Sequence, residues 1–379
     1  MKKILFVDHT AVMGGAELSL LDLATAYAKT SQVLLFEDGP LRKRLEEVGV
    51  RVNIARASKL MLDLRASGGL SSLFIIPEMW RMASKVARAA IDYDLIVANS
   101  QKAFIASALA SLRGSPPVYW HLRDILTAEH FSRLNRMGAV FLANRLASKV
   151  LVNSEATGKA FVAAGGKKQL YKVVYNGFDS QKFDDVTQTD SQQIRGRLGI
   201  GNAPLVGLFS RLSYWKGQHL LIEALTKLPQ VHAILVGEAL FGEGEYVEKL
   251  KQLAATPELT GRIHWLGFRD DIPTLMKACD VVVHTSTEPE PFGRVIVEGQ
   301  LAKRPVIASA AGGALELIED GCNGLLFPPE NAIALRQSIE KLLDRPDFAK
   351  SLAQQGYSDA KTNFNLETIL QSFSQAIST

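Results

Sequence analysis

Two glutamates, Glu290 and Glu298, form the clearest chemical pattern in the sequence. They begin and end the string Glu-Pro-Phe-Gly-Arg-Val-Ile-Val-Glu, which follows an apolar run and a loop that contains proline. A helix is predicted to start at Phe292, Gly293 and Arg294, whose N–H groups then have no partner within that helix. Carboxylates accept hydrogen bonds from sugar hydroxyls, so the pattern predicts one glutamate at a sugar and the other at the ribose of one extended ligand. The alternative is that each glutamate only complements a helix dipole.

Arg211 and Lys216 form a second pattern, in the string Arg-Leu-Ser-Tyr-Trp-Lys between an apolar run and a helical pattern. Two cations on a loop that opens a helix can hold a diphosphate and stabilise the charge that develops on a leaving phosphate. The alternative is a pair of surface charges.

Two glycine pairs also follow apolar runs. Gly14 and Gly15 precede a helical pattern, where a close backbone approach and free N–H groups suit a phosphate; a simple turn is the alternative. For Gly312 and Gly313, followed by Glu316, a tight turn is the simpler interpretation. Neither pair belongs to a G-x-G-x-x-G fingerprint, so a nicotinamide dehydrogenase is poorly supported.

His121 follows the apolar run 118–120, and both a structural and a catalytic role are open for it. Its predicted place at the inner edge of a sheet favours the catalytic role. The other six histidines show no pairwise spacing typical of a metal site, and we expect no metal; they are His9, His130, His219, His232, His264 and His284.

The elements that must position these residues are short apolar runs that alternate with amphipathic stretches. Near-continuous Val, Ile and Leu runs are typical of strands buried on both faces of a parallel sheet. This alternation predicts a doubly wound α/β fold. The predicted strands are 4–7, 33–36, 95–98, 118–120, 150–152, 173–175, 205–209, 233–236, 263–266, 281–284, 306–308 and 325–327.

A break in the alternation divides the chain into two Rossmann-like domains. The Asn-Gly turn at 176–177 and the polar stretch 180–193 are typical of a linker. We predict an acceptor-side domain at 1–178, a donor domain at 179–360, and a helix at 361–379 that crosses back to the first domain. A cleft is expected between the two domains.

The composition limits the class of partner and the compartment. A net charge of +4, from 43 Lys and Arg against 39 Asp and Glu, is mild, and no dense basic run suggests nucleic-acid binding. Two distant cysteines favour a reducing compartment. The first apolar run has four residues before Asp8, so it predicts a strand and not a signal peptide. We therefore expect a cytoplasmic protein.

Residues 60–90 combine apolar and basic side chains. One interpretation is a core helix with a solvated basic face. The other is a surface that contacts a membrane or a lipid-linked acceptor, with the protein peripheral on the inner face of that membrane.

Taken together, the motifs resemble the retaining glycosyltransferases of the GT-B fold, specifically family four. The resemblance covers most of the chain, and the Glu-x(7)-Glu string with Arg and Lys upstream is its most specific part. The matching motifs are Gly-Gly-Ala-Glu at 14–17, Arg-Leu-x-x-x-Lys-Gly at 211–217, Gly-Phe-x-Asp-Asp at 267–271, Glu-x-Phe-Gly-x-x-x-x-Glu at 290–298 and Gly-Gly-x-x-Glu at 312–316.

The resemblance implies that a nucleotide-diphosphate sugar binds mainly to the second domain. Arg211 and Lys216 would hold its diphosphate, Glu298 its ribose and Glu290 its sugar. Further donor contacts are implied for Phe292, Gly293 and Arg294 at the phosphates and sugar, and for Gly267 and Phe268 near the base.

In the first domain the resemblance places Gly14 and Gly15 at the diphosphate and His121 near the reacting sugar. The implied reaction is transfer of a hexose-type sugar to a hydroxyl on a glycan, a lipid-linked acceptor or a small molecule, with retention and without an essential metal or other cofactor. Arg294 departs from the family pattern, in which an aliphatic residue is usual.

Two other functions stay open at this point. A sugar-nucleotide epimerase of the same architecture would release free nucleotide without a glycoside product. A non-catalytic nucleotide-sugar-binding protein is disfavoured, because Glu290, Arg211, Lys216 and His121 are all present.

Overall fold

A computed structural model describes residues 2–63, 76–128, 131–240 and 242–378 of the chain. Its contacts divide the chain into two compact units. The first comprises Met1–Gly177 together with Leu366–Thr379, and the second comprises Phe178–Asn365.

Within its described residues, the first unit contains a seven-stranded parallel sheet with the order β3-β2-β1-β4-β5-β6-β7. Its strands are β1 Ile4–Asp8, β2 Ser31–Leu35, β3 Arg51–Ile54, β4 Leu95–Ala98, β5 Val118–Leu122, β6 Ala147–Val152 and β7 Tyr171–Val173. Its helices before the linker are α1 Gly15–Ala26, α2 Pro40–Glu47, α3 Lys59–Asp63, α4 Ile76–Ala89, α5 Gln101–Ser111, α6 Arg133–Leu146 and α7 Glu155–Ala163.

The described part of the second unit contains a six-stranded parallel sheet with the order β10-β9-β8-β11-β12-β13. Its strands are β8 Leu205–Phe209, β9 His232–Val236, β10 Ile263–Gly267, β11 Val281–His284, β12 Val306–Ser309 and β13 Leu325–Phe327. Its helices are α8 Gln181–Asp184, α9 Gln188–Leu198, α10 Gln218–Leu225, α11 Gly244–Ala254, α12 Ile272–Ala278, α13 Arg294–Leu301, α14 Ala314–Leu317, α15 Ala332–Asp344 and α16 Pro346–Asn363.

These two parallel sheets with their helices confirm the α/β prediction. Every predicted strand overlaps an observed one, and the apolar runs are buried on both faces, as β1 illustrates. Leu5 and Val7 join one apolar cluster, whereas Ile4 and Phe6 join the cluster on the opposite face. Burying side chains of this size contributes roughly 1.5–3 kcal/mol each.

One strand, β3, was not predicted. It lies at the edge of its sheet, and Arg51 and Asn53 are exposed, so its residues do not form an apolar run. Edge strands lack a partner on one side and tolerate polar residues, which is why hydrophobicity alone missed this one.

The last helix, α17 Leu366–Ser378, belongs to the first unit. Phe373 is fully buried and packs against the rings of Phe6 and Tyr27, with centroid distances of 6.4 and 5.7 Å. Lys2 Nζ donates a hydrogen bond to the carbonyl oxygen of Ile377 near the helix end. The C-terminal helix thereby covers one face of the first sheet.

The apolar-basic segment 60–90 is only partly described, because residues 64–75 lie outside the described ranges. In α4, Met82, Ala83 and Val86 are fully buried in the apolar core of the first unit. Trp80 is 38% exposed and lies under the Arg113 guanidinium. The described part of this segment is a core helix with a polar outer face. None of the described helices is both long enough and apolar enough to cross a membrane.

Candidate active site

The central feature of the second unit is the point where its strand order reverses. β8 lies between β9 and β11, so the chain leaves β8 toward one side of the sheet and later returns to the other side. Ligands of open α/β sheets bind at such switch points, beyond the carboxyl ends of the strands. The loops that follow β8 and β11 carry Lys216 and Glu290.

Two hydrogen bonds join these loops, both accepted by backbone carbonyl oxygens of the loop after β8. Thr287 N donates to the carbonyl oxygen of Trp215 at 2.8 Å, and Thr285 Oγ1 donates to that of Lys216 at 2.7 Å. Gly217 adopts a φ of +68°, and a Cβ there would lie 2.1 Å from the Thr285 oxygen. Only glycine fits at this contact. Gly217 therefore allows the backbone next to Lys216 to pack closely against the loop after β11.

Lys216 and Glu290 form an ion pair. The distance from Lys216 Nζ to Glu290 Oε1 is 2.7 Å, and the side chains are 14% and 15% exposed. The ammonium also lies 4.0 Å from the centre of the Trp215 ring, which favours a cation. Burial lowers the pKa of Lys216, and the nearby Glu290 carboxylate partly offsets that effect.

The second carboxylate oxygen of Glu290, Oε2, is within hydrogen-bond distance of two other side chains. His284 Nε2 lies 2.5 Å and Ser286 Oγ 2.8 Å from Glu290 Oε2. Burial alone would raise the pKa of Glu290, but Lys216 and His284 hold it well below its usual range. Glu290 is therefore an ionised carboxylate, with Oε2 held by His284 and Ser286 and Oε1 paired with Lys216.

His284 and Ser286 were not predicted as site residues. His284 ends a run of three valines, and a lone polar residue at a strand end followed by Thr-Ser was the available signal. His284 is 4% exposed, and its Nδ1 has no partner among the residues that the structure describes.

The second glycine pair fixes the backbone of Glu290. Gly312 forms a β-bridge with Glu290, and Gly313 N donates to the Glu290 carbonyl oxygen at 2.8 Å. Gly312 has a φ of +61°, and a Cβ there would lie 2.3 Å from that oxygen. This loop after β12 is a turn, as predicted, and it also positions Glu290.

Arg211 lies at the start of the loop after β8. Its Nε is 3.8 Å from Glu243 Oε2, and Glu243 Oε1 accepts a 2.6 Å hydrogen bond from Ser213 Oγ. The guanidinium carbon is 5.9 Å from the centre of the Trp215 ring, and the side chain is 30% exposed. Arg211 and Lys216 thus both lie near the Trp215 indole, and the Arg211 charge contributes to the lowered pKa of Lys216.

The predicted helix after Glu290 starts at Arg294, with Gly293 as its N-cap at a φ of +94°. Arg294 Nε lies 3.4 Å from Glu298 Oε1, one turn along α13. Its guanidinium covers the Phe178 ring at 4.5 Å, and that ring stacks on Phe292 at 6.2 Å. The cation that departs from the family pattern is therefore packed against the Phe178 ring and paired with the second glutamate.

Gly267 and Phe268 lie at the end of β10, two strands from β8. Gly237 N donates to the carbonyl oxygen of Gly267 at 2.8 Å, and Phe268 N donates to Glu238 Oε1 at 3.3 Å. Phe268 is 54% exposed. The loops at the carboxyl edge of this sheet thus carry the Phe268 ring, the cations of Arg211 and Lys216, and the carboxylates of Glu238 and Glu290. Of these residues, Glu238 was not predicted.

The first unit has a polar cluster at its own switch point, between β1 and β4. Asn99 Nδ2 donates to Asp8 Oδ2 at 2.6 Å, and Arg123 Nε donates to Asn99 Oδ1 at 2.6 Å. Arg123 Nη1 and Ser19 Oγ both donate to Asn176 Oδ1, at 2.7 and 2.9 Å. Sequence reasoning did not single out this cluster, since its five members come from five separate elements and linkers.

His121 lies within β5 and not after it, because the strand continues to Leu122. It is 2% exposed, its ring is 6.3 Å from that of Phe373, and its Nδ1 is 3.2 Å from Arg123 Nη2. Its Nε2 has no partner among the described residues. Burial, and then the Arg123 charge, hold the pKa of His121 well below its usual range, so the imidazole is neutral.

Gly14 caps the N-terminus of α1 and Gly15 begins that helix, as predicted. Glu17 lies in the first turn, and a Cβ on Gly14 would lie 2.7 Å from Glu17 Oε2. Partial burial and the Asp8 charge raise the pKa of Glu17 to about 8. The glycine loop thus lies against a carboxyl group that is largely protonated at neutral pH.

Glu17→Gln will make folding less sensitive to rising pH. In the unfolded chain Glu17 ionises near pH 4.3, approximately, whereas in the folded chain it stays protonated up to about pH 8. Between these values unfolding releases a proton, so stability falls as pH rises. We expect the variant to gain about 1–3 kcal/mol over the wild type by pH 8.5, less than the full shift because Glu17 is only partly buried. Urea unfolding at pH 5 and pH 8.5 measures it.

Glu47→Gln, on the exposed end of α2, is the matched control and should keep the wild-type dependence. Equal slopes for Glu17→Gln and wild type would contradict the raised pKa of Glu17.

In the described ranges, no group of three or more His, Cys, Asp or Glu side chains is arranged to hold a metal ion.

The chain is similar to known proteins over most of its length. Residues 14–177 match the family model "Glycosyl transferase 4-like domain", and residues 190–359 match "Glycosyl transferases group 1". The lipopolysaccharide core biosynthesis glycosyltransferase LpsE of Rhizobium meliloti is 31% identical over 46% of this chain and 50% of its own length. Spore coat protein SA of Bacillus subtilis is 30% identical over 53% and 56%. The chain therefore spans about half the length of these curated relatives.

Among solved structures, that of HepE from Anabaena in complex with UDP and glucose is 44% identical, with a TM-score of 0.92 and full coverage of both chains. The same protein was also solved with UDP-glucose, with a TM-score of 0.91. The match covers both units and the whole of the site described above. The chain belongs to the group 1 glycosyltransferases, on an α/β fold of two parallel sheets.

Proposed function

We propose that this chain is a retaining glycosyltransferase that transfers a hexosyl residue from a UDP-sugar, with UDP-glucose as the first candidate, to a hydroxyl acceptor. The observation that carries the proposal is the Lys216–Glu290 ion pair at the switch point of the second sheet. The choice of uridine and glucose is supported by the complexes of HepE, which is 44% identical. A glycan or lipid-linked acceptor is supported by the name of LpsE.

Donor binding requires Lys216 to change partners. Its ammonium now neutralises Glu290 Oε1, and a diphosphate would offer it a stronger anion. The release frees Oε1 to accept a hydrogen bond from a sugar hydroxyl, while His284 and Ser286 keep Oε2 in place. The ion pair thus preorganises both groups before the donor arrives, which reduces the cost of ordering them.

The chemical step proceeds on one face of the donor sugar. The acceptor oxygen forms a bond to the anomeric carbon as the bond from that carbon to the diphosphate breaks, and the acceptor proton passes to the leaving phosphate. Lys216 and Arg211 stabilise the charge that builds on the diphosphate. These two cations provide the positive charge that a divalent metal ion could otherwise provide at the diphosphate, so the proposed reaction needs no metal.

The remaining donor contacts are proposed from the family resemblance. Glu298 is assigned to the ribose, Gly267 and Phe268 to the base, and the start of α13 to the phosphates. Gly14 and Gly15 are assigned to the diphosphate. For His121 we propose a positioning role through Arg123, since its imidazole is buried beside Phe373.

A thermal-shift panel tests the proposal. With EDTA present, UDP and UDP-glucose should raise the melting temperature, whereas GDP and ADP at equal concentration should not, since only a ligand that binds the folded state stabilises it. Lys251→Met, which changes an exposed lysine on α11, should keep the full shift. Proton NMR of the first-formed glycoside or hydrolysis product should show the α anomer. A shift with none of the nucleotides, or a β product, would overturn the donor or the retention proposal, respectively.

A further inference from the structure

Helix α6 of the first unit presents three large apolar side chains to solvent. Leu134, Met137 and Phe141 are 77%, 53% and 57% exposed. Their spacing of three and four residues places them on one face of the helix. Large apolar side chains that are scattered singly need no explanation, whereas a contiguous exposed group marks an interaction surface.

The same helix is anchored to the unit through its opposite face. Ala139, Val140 and Ala143 are buried in the apolar core. The Ser132 hydroxyl caps the helix by accepting from Asn135 N. The exposed face is therefore not needed to hold α6 in place, and α6 is a rigid platform for it.

Cations lie near both ends of the exposed face. Arg133 and Arg145 are exposed, and the Arg145 guanidinium lies 4.7 Å from the centre of the Phe141 ring. Lys167 is also exposed, and its Nζ donates to the carbonyl oxygen of Asn144 at the end of α6. From residue 131 to residue 154 the sequence has four Arg or Lys and no Asp or Glu. The face is thus apolar at its centre and basic at its rim.

We propose that this face of α6 binds the surface of an anionic lipid bilayer, with Leu134, Met137 and Phe141 at the level of the acyl chains and the arginines at the lipid phosphates. An apolar face edged by Arg and Lys has the chemistry of a helix that lies in a membrane interface. The long arginine stems allow the guanidinium groups to reach the phosphates while their methylenes cover apolar surface.

A second copy of the chain fits this face less well. A symmetric contact through α6 would bring arginines against arginines, and the helix carries no carboxylate to pair them. The surface also lies outside segment 60–90, for which a membrane contact was one of two interpretations of the sequence, so the proposed contact belongs to a different element.

Vesicle sedimentation of the full chain tests the proposal without a donor or an acceptor. Wild type should bind vesicles of equal parts phosphatidylglycerol and phosphatidylcholine, and bind pure phosphatidylcholine more weakly. The variant Leu134→Gln/Met137→Gln/Phe141→Gln should bind the mixed vesicles at least about tenfold more weakly, because it loses three apolar anchors. Arg133→Gln/Arg145→Gln should lose about fivefold for each arginine and most of the preference for anionic lipid.

The matched control is Ile91→Gln/Leu112→Gln/Ile333→Gln, whose three side chains are 75%, 58% and 65% exposed but lie outside this face. It should bind like wild type, and circular dichroism melting should show that all variants fold. Absence of wild-type binding to the anionic vesicles would overturn the proposal, as would equal losses in control and test variants. A concentration-dependent dimer that the α6 variant abolishes would overturn it in favour of self-association. Because donor binding is measured separately, either proposal can fail alone.

Discussion

Replacing Lys216 by methionine will lower the rate of sugar transfer by about two to three orders of magnitude, the loss expected when one donor to a developing oxyanion is removed. Methionine keeps an unbranched stem beside the Trp215 ring but cannot carry the charge that now lies 2.7 Å from Glu290 Oε1. Turnover of UDP-glucose under saturating donor measures the effect. The loss should appear mainly in kcat, because the charge on the leaving diphosphate is greatest in the transition state.

Stability must be separated from chemistry in this experiment. Lys216→Met leaves the Glu290 carboxylate with His284 and Ser286 but without its cation, and an uncompensated buried charge is costly. The double variant Lys216→Met/Glu290→Gln removes that charge, so we expect it to recover stability in urea while transfer stays low. Lys251→Met is the surface control and should be fully active. Wild-type turnover in Lys216→Met would remove Lys216 from the proposed mechanism.

The residues of the proposed donor site could be found from sequence because they follow apolar runs. Arg211, Lys216 and Glu290 each come shortly after a strand whose limits were predicted to the residue. In a parallel sheet the carboxyl ends of all strands meet at one edge, so residues after strands gather there whatever the strand order.

The contacts between those residues could not be predicted in the same way. Lys216 and Glu290 are 74 positions apart, and they meet because β8 pairs with β11 and not only with its successor β9. Hydrophobic periodicity identifies strands but does not give their order. The role of Gly312 depends on the same information, since its contact with Glu290 requires β12 to lie beside β11.

Histidines were the least predictable residues, because burial decides their role. His121 was placed after a strand, but the strand includes it and Phe373 of the distant C-terminal helix covers it. His284 was noted in the sequence only for its lack of metal spacing, yet its Nε2 lies 2.5 Å from Glu290 Oε2. A single sequence does not show which side chains at the end of a strand point into a site.

The role of His284 leads to the second large effect. His284→Ala will lower kcat about ten- to a hundredfold, since losing a hydrogen bond to a buried charged group costs about 1.5–3 kcal/mol. Glu290 Oε2 would keep Ser286 Oγ alone on that side, and its carboxylate would no longer be fixed toward the sugar. Donor affinity should change less, because Lys216 and Arg211 still bind the diphosphate.

The pH dependence distinguishes this positioning role from a loss of packing. The pKa of Glu290 is held well below its usual range by Lys216 and His284, so wild type keeps the carboxylate ionised into the acid range. Without His284 that pKa rises, and the acid limb of kcat against pH moves to higher pH. His284→Gln retains an N–H donor and should restore part of the rate and of the profile. His264→Gln, at a histidine of β10 that contacts His232, should leave the profile unchanged. Two results together would contradict this role: His284→Ala lowers kcat without moving the acid limb, and His284→Gln restores neither the rate nor the profile. His284 would then be a packing residue, and Lys216 alone would keep Glu290 ionised.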